Sequence, residues 1–337
     1  MIAFIARRLI AAVILLVVVS AVTFAIFFVL PQIATGGGPD SLAGRYVGRT
    51  ATPEIVHDVA VKLGFWDPLP VQYWHWLQAV FVGSTYNYGP ATAVCPAPCL
   101  GYSYITQQPV WPDLLDRAPV TLSLAIGAAV LWVLMGVTTG VISALRRGTL
   151  FDRAAMGISL AGVSLPIFFT GLVCLAFLSY QLRITAPGGS YVSFFTNPGR
   201  WAYFLILPWV TLAFQFSANY ARLTRAGMLE TMSEDYIRTA RAKGLPERTV
   251  VVKHGLRGAL TPLLTIFGLD LGVLLGGAVL TESTFSLKGL GKYSIDAINA
   301  GDLPKVLGVV VFSAVFVVLA NLIVDILYAV VDPRVRT

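Results

Sequence analysis

Charged side chains are missing from four long stretches of this chain. None lies between Arg8 and Asp40, Arg117 and Arg146, Arg153 and Arg183, or Arg200 and Arg222. Two further runs, Arg257 to Glu282 and Lys305 to Asp332, are each interrupted by one acid, Asp270 and Asp325 respectively. A helix needs about 20 apolar residues to cross the hydrocarbon layer of a bilayer, and every one of these runs supplies them. The chain therefore reads as an all-α integral membrane protein with six transmembrane helices. Charged residues make up 12% of the 337, against roughly 25% in an ordinary soluble domain, which excludes a water-soluble fold. The net charge of +7 does not call for nucleic acid, because the Lys and Arg residues sit in short loops between the apolar runs.

Those loops also set the orientation. With both termini in the cytoplasm, the cytoplasmic segments hold 15 of the 24 basic residues, eight of them from Arg222 to Arg257. The inverted arrangement would place this dense loop outside, against the tendency of short basic loops to stay in. The first run, Leu9 to Leu30, follows Arg7 and Arg8 as a secretory signal would. Its 22 residues exceed a typical signal core and no convincing cleavage site follows, so it reads as a retained first helix of a multi-pass inner-membrane protein.

Three divisions result: the cytoplasmic tip and first helix over 1–30, a large extracytoplasmic loop over 31–116, and a core over 117–337 holding helices two to six and a cytoplasmic loop at 226–258. At 86 residues the segment 31–116 is far longer than a helix connection requires. Ala34 to Thr52 is rich in Gly and polar residues. Phe65, Trp66, Tyr73, Trp74, Trp76 and Phe81 then follow in a pattern that could bury one face. That pattern fits a short amphipathic helix on the outer membrane surface, a docking surface for an extracytoplasmic partner, or both. Cys95 and Cys99, in Cys-Pro-Ala-Pro-Cys, are one pair and too few for a zinc site. A local disulfide and two free thiols both remain open there. His57, His75 and His254 are dispersed, and no metal or catalytic role is assigned to them.

The loop between the fourth and fifth runs, Met232-Ser-Glu-Asp-Tyr-Ile-Arg-Thr-Ala-Arg-Ala-Lys-Gly-Leu-Pro246, carries the punctuation of a short helix. Ser233 suits the N-cap, and Glu234 and Asp235 sit where the helix dipole is positive. Lys243 lies in the last turn with Gly244 beyond it, where a left-handed residue is preferred, and Pro246 suits the first turn of a second helix. Tyr236, Ile237 and Ala240 form an apolar strip at helical spacing, while Arg238 and Arg241 project as a charged pair. So short a helix is marginal in water and must pack on something. A basic loop resting on anionic lipid headgroups is the plainer alternative.

Asp235-Tyr-Ile-Arg-Thr-Ala-Arg-Ala-Lys-Gly244, continuing to His254-Gly-Leu-Arg257 and Pro262, resembles the coupling loop of ATP-binding-cassette importer permeases of the dipeptide and oligopeptide type. In place of the general Glu-Ala-Ala before the Gly, this chain has Arg238, Thr239 and Ala240, as is usual in the peptide branch. Leu63-Gly-Phe-Trp-Asp-Pro-Leu-Pro-Val-Gln-Tyr73, Phe151-Asp-Arg153 with Ser164-Leu-Pro166, Glu282-Ser-Thr-Phe-Ser286 with Gly289-Leu-Gly291, and Asp325-Ile-Leu-Tyr328 with Asp332-Pro-Arg334 are similar to the same branch, in order along nearly the whole chain.

The resemblance implies a type I importer permease fold in which Ser233 to Gly244, Ala242 included, sit in a cleft of an ATPase subunit and pass its closure to the membrane helices. It implies peptide substrates, or in related permeases nickel chelates or haem. The partners it implies are a second, related permease chain, two cytoplasmic ATP-binding subunits and an extracytoplasmic substrate-binding protein. ATP and Mg would be used by the partner subunits. This chain has no Gly-rich phosphate loop, binds no cofactor of its own in this reading, and is no enzyme.

The two acids inside the apolar runs must face protein or water. Asp270 lies in Gly268-Leu-Asp-Leu-Gly272 with Gly276 beyond, small residues every four positions that let another helix approach. It either lines the translocation path, where it would meet a peptide amino group, or is hydrogen-bonded to a neighbouring helix. Asp325, near the end of its run, reads as structural. Gly136 and Gly140 form a second close-packing pair, within the chain or between subunits. An intramembrane protease would need Asp270 and Asp325 at one depth, which their positions oppose. A proton-coupled secondary transporter would use intramembrane acids as relays, but leaves the punctuated helix at 233–244 without a task.

Overall fold

The computed structural model of the chain describes residues 2–30, 32, 38–44, 52–87 and 92–331. Parts of the Ala34 to Thr52 stretch, all of Asp332-Pro-Arg334 and the side chain of Asp325 lie outside the described residues. Two compact units divide the chain, the first formed by Met1–Ala6, Pro119–Lys292 and Leu319–Thr337, the second by Arg7–Ala118 and Tyr293–Val318.

Four helices are long and apolar enough to cross a membrane among the described residues, and up to six if each of two bent pairs counts as one span. In chain order the elements begin with α1 (Ile2–Phe24), which continues through a π-helical turn, Ala25–Val29. Then come α2 (Gly38–Ala43), α3 (Pro53–Lys62) and α4 (Leu69–Val82). Two antiparallel ribbons follow, β1 (Ser84–Asn87) with β2 (Thr92–Cys95), and β3 (Tyr102–Ser103) with β4 (Gln108–Pro109). The helices α5 (Val110–Leu145), α6 (Leu150–Ser164), α7 (Ile167–Cys174) and α8 (Pro198–Thr231) come next. The remainder are α9 (Asp235–Ala242), α10 (Glu247–Thr249), α11 (Leu256–Leu275), α12 (Val279–Thr284), α13 (Leu290–Ala300) and α14 (Leu303–Val331).

Two expectations need correcting. The chain is mostly helical rather than all-α, because the β-branched and aromatic residues of Ser84-Thr-Tyr and Thr92-Ala-Val pair as strands, Ser84 opposite Cys95. The run from Arg153 to Arg183 is also not one straight helix. Pro166 disfavours the α conformation at Leu165, which is extended (ψ 129°), and the segment turns through 105° between Leu150–Ser164 and Ile167–Gln181.

In the second unit, Leu42, Ala43, Val59, Ala60 and Phe65 make one core, and Phe24, Trp76 and Leu307 another. Cys95 and Cys99 are disulfide-bonded and buried with Ala79 at the C-terminal end of α4. The start of α14 is fixed by Asp302, which accepts the Ser103 hydroxyl at 2.5 Å and pairs with Lys305 at 3.5 Å. The Tyr293 hydroxyl donates to Asp113 at 2.7 Å beneath the Arg117 guanidinium. Burial and that carboxylate hold the Tyr293 phenol above its usual value.

In the first unit α5 lies against α8. A Cβ at Gly140 would stand 2.6 Å from the Ala221 carbonyl oxygen and 2.6 Å from Thr224, and one at Gly136 would collide with Tyr220. The Gly136 and Gly140 pair is thus a contact within the chain. Trp209 donates to the Ser123 carbonyl at 2.9 Å and fills the space a side chain at Gly127 would need.

Candidate functional site

The segment at 232–246 is built from its two ends. Glu234, extended at φ −67° and ψ 150°, occupies the N-cap of α9 and makes no side-chain cap. Ser233 does not cap it either. Its hydroxyl donates to the Glu230 carbonyl at 2.6 Å, which the Ser233 N–H also reaches at 3.0 Å, so the side chain folds back on the end of α8. The expected Ser233 cap is corrected on that ground, and the helix starts at Asp235. Its C-terminus follows the punctuation closely. Gly244 has φ +75°, its N–H donates to the Arg241 carbonyl at 2.9 Å, and the Leu245 N–H donates to the Ala240 carbonyl at 3.4 Å. These are the two bonds of a Schellman motif. Pro246 is the N-cap of α10.

The inner side of α9 is anchored on its own chain. Ile237 and Ala240 are buried against Val250, with Met232 beside them. Tyr236, expected in the same strip, is 49% exposed, because the contact is only one ridge wide. Arg241 grips Glu247 with two hydrogen bonds of 3.1 and 2.7 Å, which fixes α9 against α10 in a solvent-screened pair. Asp235, Tyr236, Arg238, Thr239, Ala242 and Lys243 all remain exposed. The result is a short rod clamped on one side and presenting a mixed polar, aromatic and basic surface on the other.

What the rod is clamped to is closely packed. Met228 of α8 is buried with Ala144, Val251 and Ala259. A Cβ at Gly227 would lie 3.2 Å from Ala259, and one at Gly258 would lie 3.0 Å from Thr231, so α8 and α11 cross almost backbone to backbone. Six residues before the end of α8, Arg225 forms a two-bond ion pair with Asp152, Nε to Oδ1 at 2.7 Å and Nη2 to Oδ2 at 2.8 Å. The same carboxylate accepts the Ser143 hydroxyl and, at 2.9 Å, the Gly148 N–H. One buried acid therefore ties the α5–α6 corner to the helix that leads into α9. The sequence reading quoted Asp152 only as part of Phe151-Asp-Arg153. Asp152 stands just before the run that begins at Arg153, and Arg225 just after the run that ends at Arg222, so each reads as an ordinary loop charge.

Replacing Asp152 with Asn is expected to lower the unfolding midpoint of the detergent-solubilised protein by several degrees, since an uncompensated arginine is left partly buried. The double variant with Arg225→Gln should lose less than the two single changes combined. Differential scanning fluorimetry reads both, and strictly additive losses would disprove the pairing.

Asp270 lies in α11, half-buried, and accepts the Tyr220 hydroxyl of α8 at 2.9 Å. Tyr220 is itself packed by Trp132, whose ring also meets Phe216 and Phe267. Gly268, two residues earlier and on the opposite side of the helix, makes room for Val324 of α14, where a Cβ would come within 2.7 Å.

Comparison with known proteins places these features in a family. Residues 136–337 match the binding-protein-dependent transport system inner membrane component, and residues 1–125 match the N-terminal part of the same kind of component. The chain is 37% identical to the di/tripeptide transport system permease protein DppB of Pseudomonas aeruginosa, over 100% of this chain and 99% of that one. It is 36% identical to the dipeptide transport system permease protein DppB of Escherichia coli K12, again over 100% and 99%. Among solved structures, an inward-facing form of the MetNI methionine ABC transporter has the same fold with a TM-score of 0.51 and 19% identity, covering 66% of this chain and 97% of that one. The chain belongs to the family of inner-membrane permease components of binding-protein-dependent ABC importers.

Proposed function

We propose that the chain forms half of the translocation pathway of an ATP-driven peptide importer, working by alternating access. The end-to-end likeness to permeases named for dipeptide and di/tripeptide transport carries the substrate class, and favours peptides over nickel chelates or haem. The clamped rod α9 supports the mechanism. In this reading Ser233 to Gly244 dock by their exposed side in a cleft of a cytoplasmic ATP-binding subunit. Closure of that subunit's dimer around ATP and Mg pushes α8 and α11 together, because both are packed at the base of the rod. Energy comes wholly from those partners.

The proposed topology counts each bent pair as one crossing, giving six spans, both termini in the cytoplasm, 31–116 outside and the loop 226–258 inside. The concentration of basic residues at 222–257 supports it. A second, homologous permease chain completes the pathway, and an extracytoplasmic binding protein delivers substrate to the 31–116 side. The Tyr220 bond answers the neighbouring-helix alternative for Asp270; its half-exposed carboxylate is read as lining the path as well, where Tyr220 would hold it for a peptide ammonium group.

Proteoliposomes containing this chain with its partner permease, ATPase subunits and binding protein should accumulate labelled dipeptide only when ATP is supplied. Uptake driven by a proton gradient with no ATPase present would replace this reading with a secondary transporter. In the same assay Asp270→Asn should narrow the preference for free over N-acetylated dipeptides. An unchanged preference removes Asp270 from the path.

A further inference from the structure

The helix α4 carries no Asp, Glu, Lys or Arg over its 14 residues, although water-facing helices of that length ordinarily do. The neighbouring α3 bears Glu54, Asp58 and Lys62. One side of α4 is packed: Trp76 and Ala79 are buried, and Tyr73 and Trp76 lie against Phe24 of α1 with ring centroids 5.5 and 6.4 Å away. The opposite side, Val71, Trp74, Gln78, Phe81 and Val82, repeats at a helical spacing and stays exposed, with the polar amide of Gln78 at its middle and exposed His75 at its edge. There Trp74 is 62% and Phe81 75% exposed.

The depth of this helix can be read from α1. Its apolar stretch begins at Leu9, and about 20 residues of it fill the hydrocarbon layer, which puts the far boundary near Phe28. The Tyr73 hydroxyl reaches the Ser20 hydroxyl at 2.8 Å. Ser20 lies eight residues, or about 12 Å, short of Phe28 along the helix. Even with the full reach of a tyrosine, the α4 backbone at Tyr73 lies at or just under the apolar boundary. Interfacial helices lie at that depth, roughly 5–10 Å into the headgroup and acyl boundary, with Trp and Phe on the buried side.

We propose that the uncharged face formed by Val71, Trp74, Phe81 and Val82 is a phospholipid-binding surface lying in the membrane interface, held at that depth by the Tyr73–Ser20 bond. Its consequence reaches the disulfide ribbon. The Cys99 N–H donates to the Ala79 carbonyl at 3.3 Å, and Ala79, Cys95 and Cys99 are buried together. The lipid contact of α4 thereby sets the height above the bilayer at which the ribbon stands. The proposal rests on α1 crossing the membrane and not on what the chain transports.

The test uses the full complex in phospholipid nanodiscs, with a nitroxide attached to Trp74→Cys or Phe81→Cys in a Cys174→Ser background, and Asp58→Cys as the aqueous reference. The Cys95–Cys99 pair, being bonded, does not react. At 74 and 81, accessibility to oxygen relative to a water-soluble nickel chelate should exceed that at 58 several-fold. Chelate-favoured labels at 74 and 81 mean that the face is in water. Exclusion of both reagents means that protein covers it. Either result overturns the proposal. ATP-driven uptake by the same labelled complexes is scored separately, so loss of the lipid contact with transport intact leaves the importer reading standing.

Discussion

Changing Gly244 to valine is expected to abolish peptide uptake in proteoliposomes while the ATPase subunits still bind and hydrolyse. There is open space around this residue, with nothing within 4 Å of an added Cβ, so the effect has no steric contribution from neighbours. It comes from the backbone. At φ +75° a β-branched residue is a genuine outlier, at a cost of about 1–3 kcal/mol. A valine relieves that strain by leaving the left-handed region, which breaks both Schellman bonds and swings Leu245 and Pro246 away from the end of α9. The rod would keep its inner contact through Ile237 but lose its fixed angle to α10. Gly244→Asn is the control, because asparagine tolerates the left-handed conformation, and it should retain most uptake. Equal uptake by the valine and asparagine variants would end the claim that this joint transmits force.

The second large effect is expected at Glu282, which no part of the coupling mechanism uses. Its carboxylate is fully buried, accepts the Thr121 hydroxyl at 2.7 Å and the Lys292 N–H at 2.8 Å, and Thr121 in turn accepts the Leu290 N–H at 2.9 Å. The segment from α12 to α13 is thereby held against α5. Glu282→Ala leaves two buried donors without an acceptor, at about 1–3 kcal/mol each. That is a large fraction of the stability of a typical domain. The variant should be depleted from the membrane fraction and unfold at markedly lower temperature in detergent.

Gly289 gives an independent check. A Cβ there would collide with the Glu282 carboxylate, so Gly289→Ala should reproduce the defect by displacing it. Wild-type stability of Gly289→Ala would contradict the packing. This also supplies a physical reason for Glu282-Ser-Thr-Phe-Ser286 and Gly289-Leu-Gly291 to occur together: the carboxylate needs the space the first glycine leaves. A Cβ at the second, Gly291, would lie 2.9 Å from the Val279 backbone.

These two sites differ in how far the sequence exposes them. The Schellman end of α9 was legible because its determinants are local, a Gly and a Pro within three residues of each other. Its start was not, since the Ser233 hydroxyl had two possible acceptor or donor partners and the α8 carbonyl took it. The long helices α1, α5 and α8 are legible from charge-free runs, and α14 from a run that one acid, Asp325, interrupts. The corner at Ser164-Leu-Pro166 sat in plain view as a proline, but an uninterrupted apolar run outweighed it in the reading. Asp152 with Arg225, and Thr121 with Glu282, are 73 and 161 residues apart, and no periodicity links positions at such separations. The short ribbons, two of whose strands are only two residues long, carry too little alternation to be seen.

The 105° corner carries a cost that other parts of the assembly must meet. Each arm on its own is too short to bridge a bilayer: the first has 15 residues, about 22 Å of helix, against some 30 Å of hydrocarbon. Where the hydrogen-bond ladder stops, the Leu165 N–H still serves the Ala161 carbonyl at 3.1 Å, but the Ser164 hydroxyl turns back into the helix to Leu160 at 2.9 Å and serves none of the carbonyls that follow. Lipid tails offer such groups nothing. The elbow therefore has to face water or protein rather than lipid tails, which makes it a poor surface to leave bare in a bilayer.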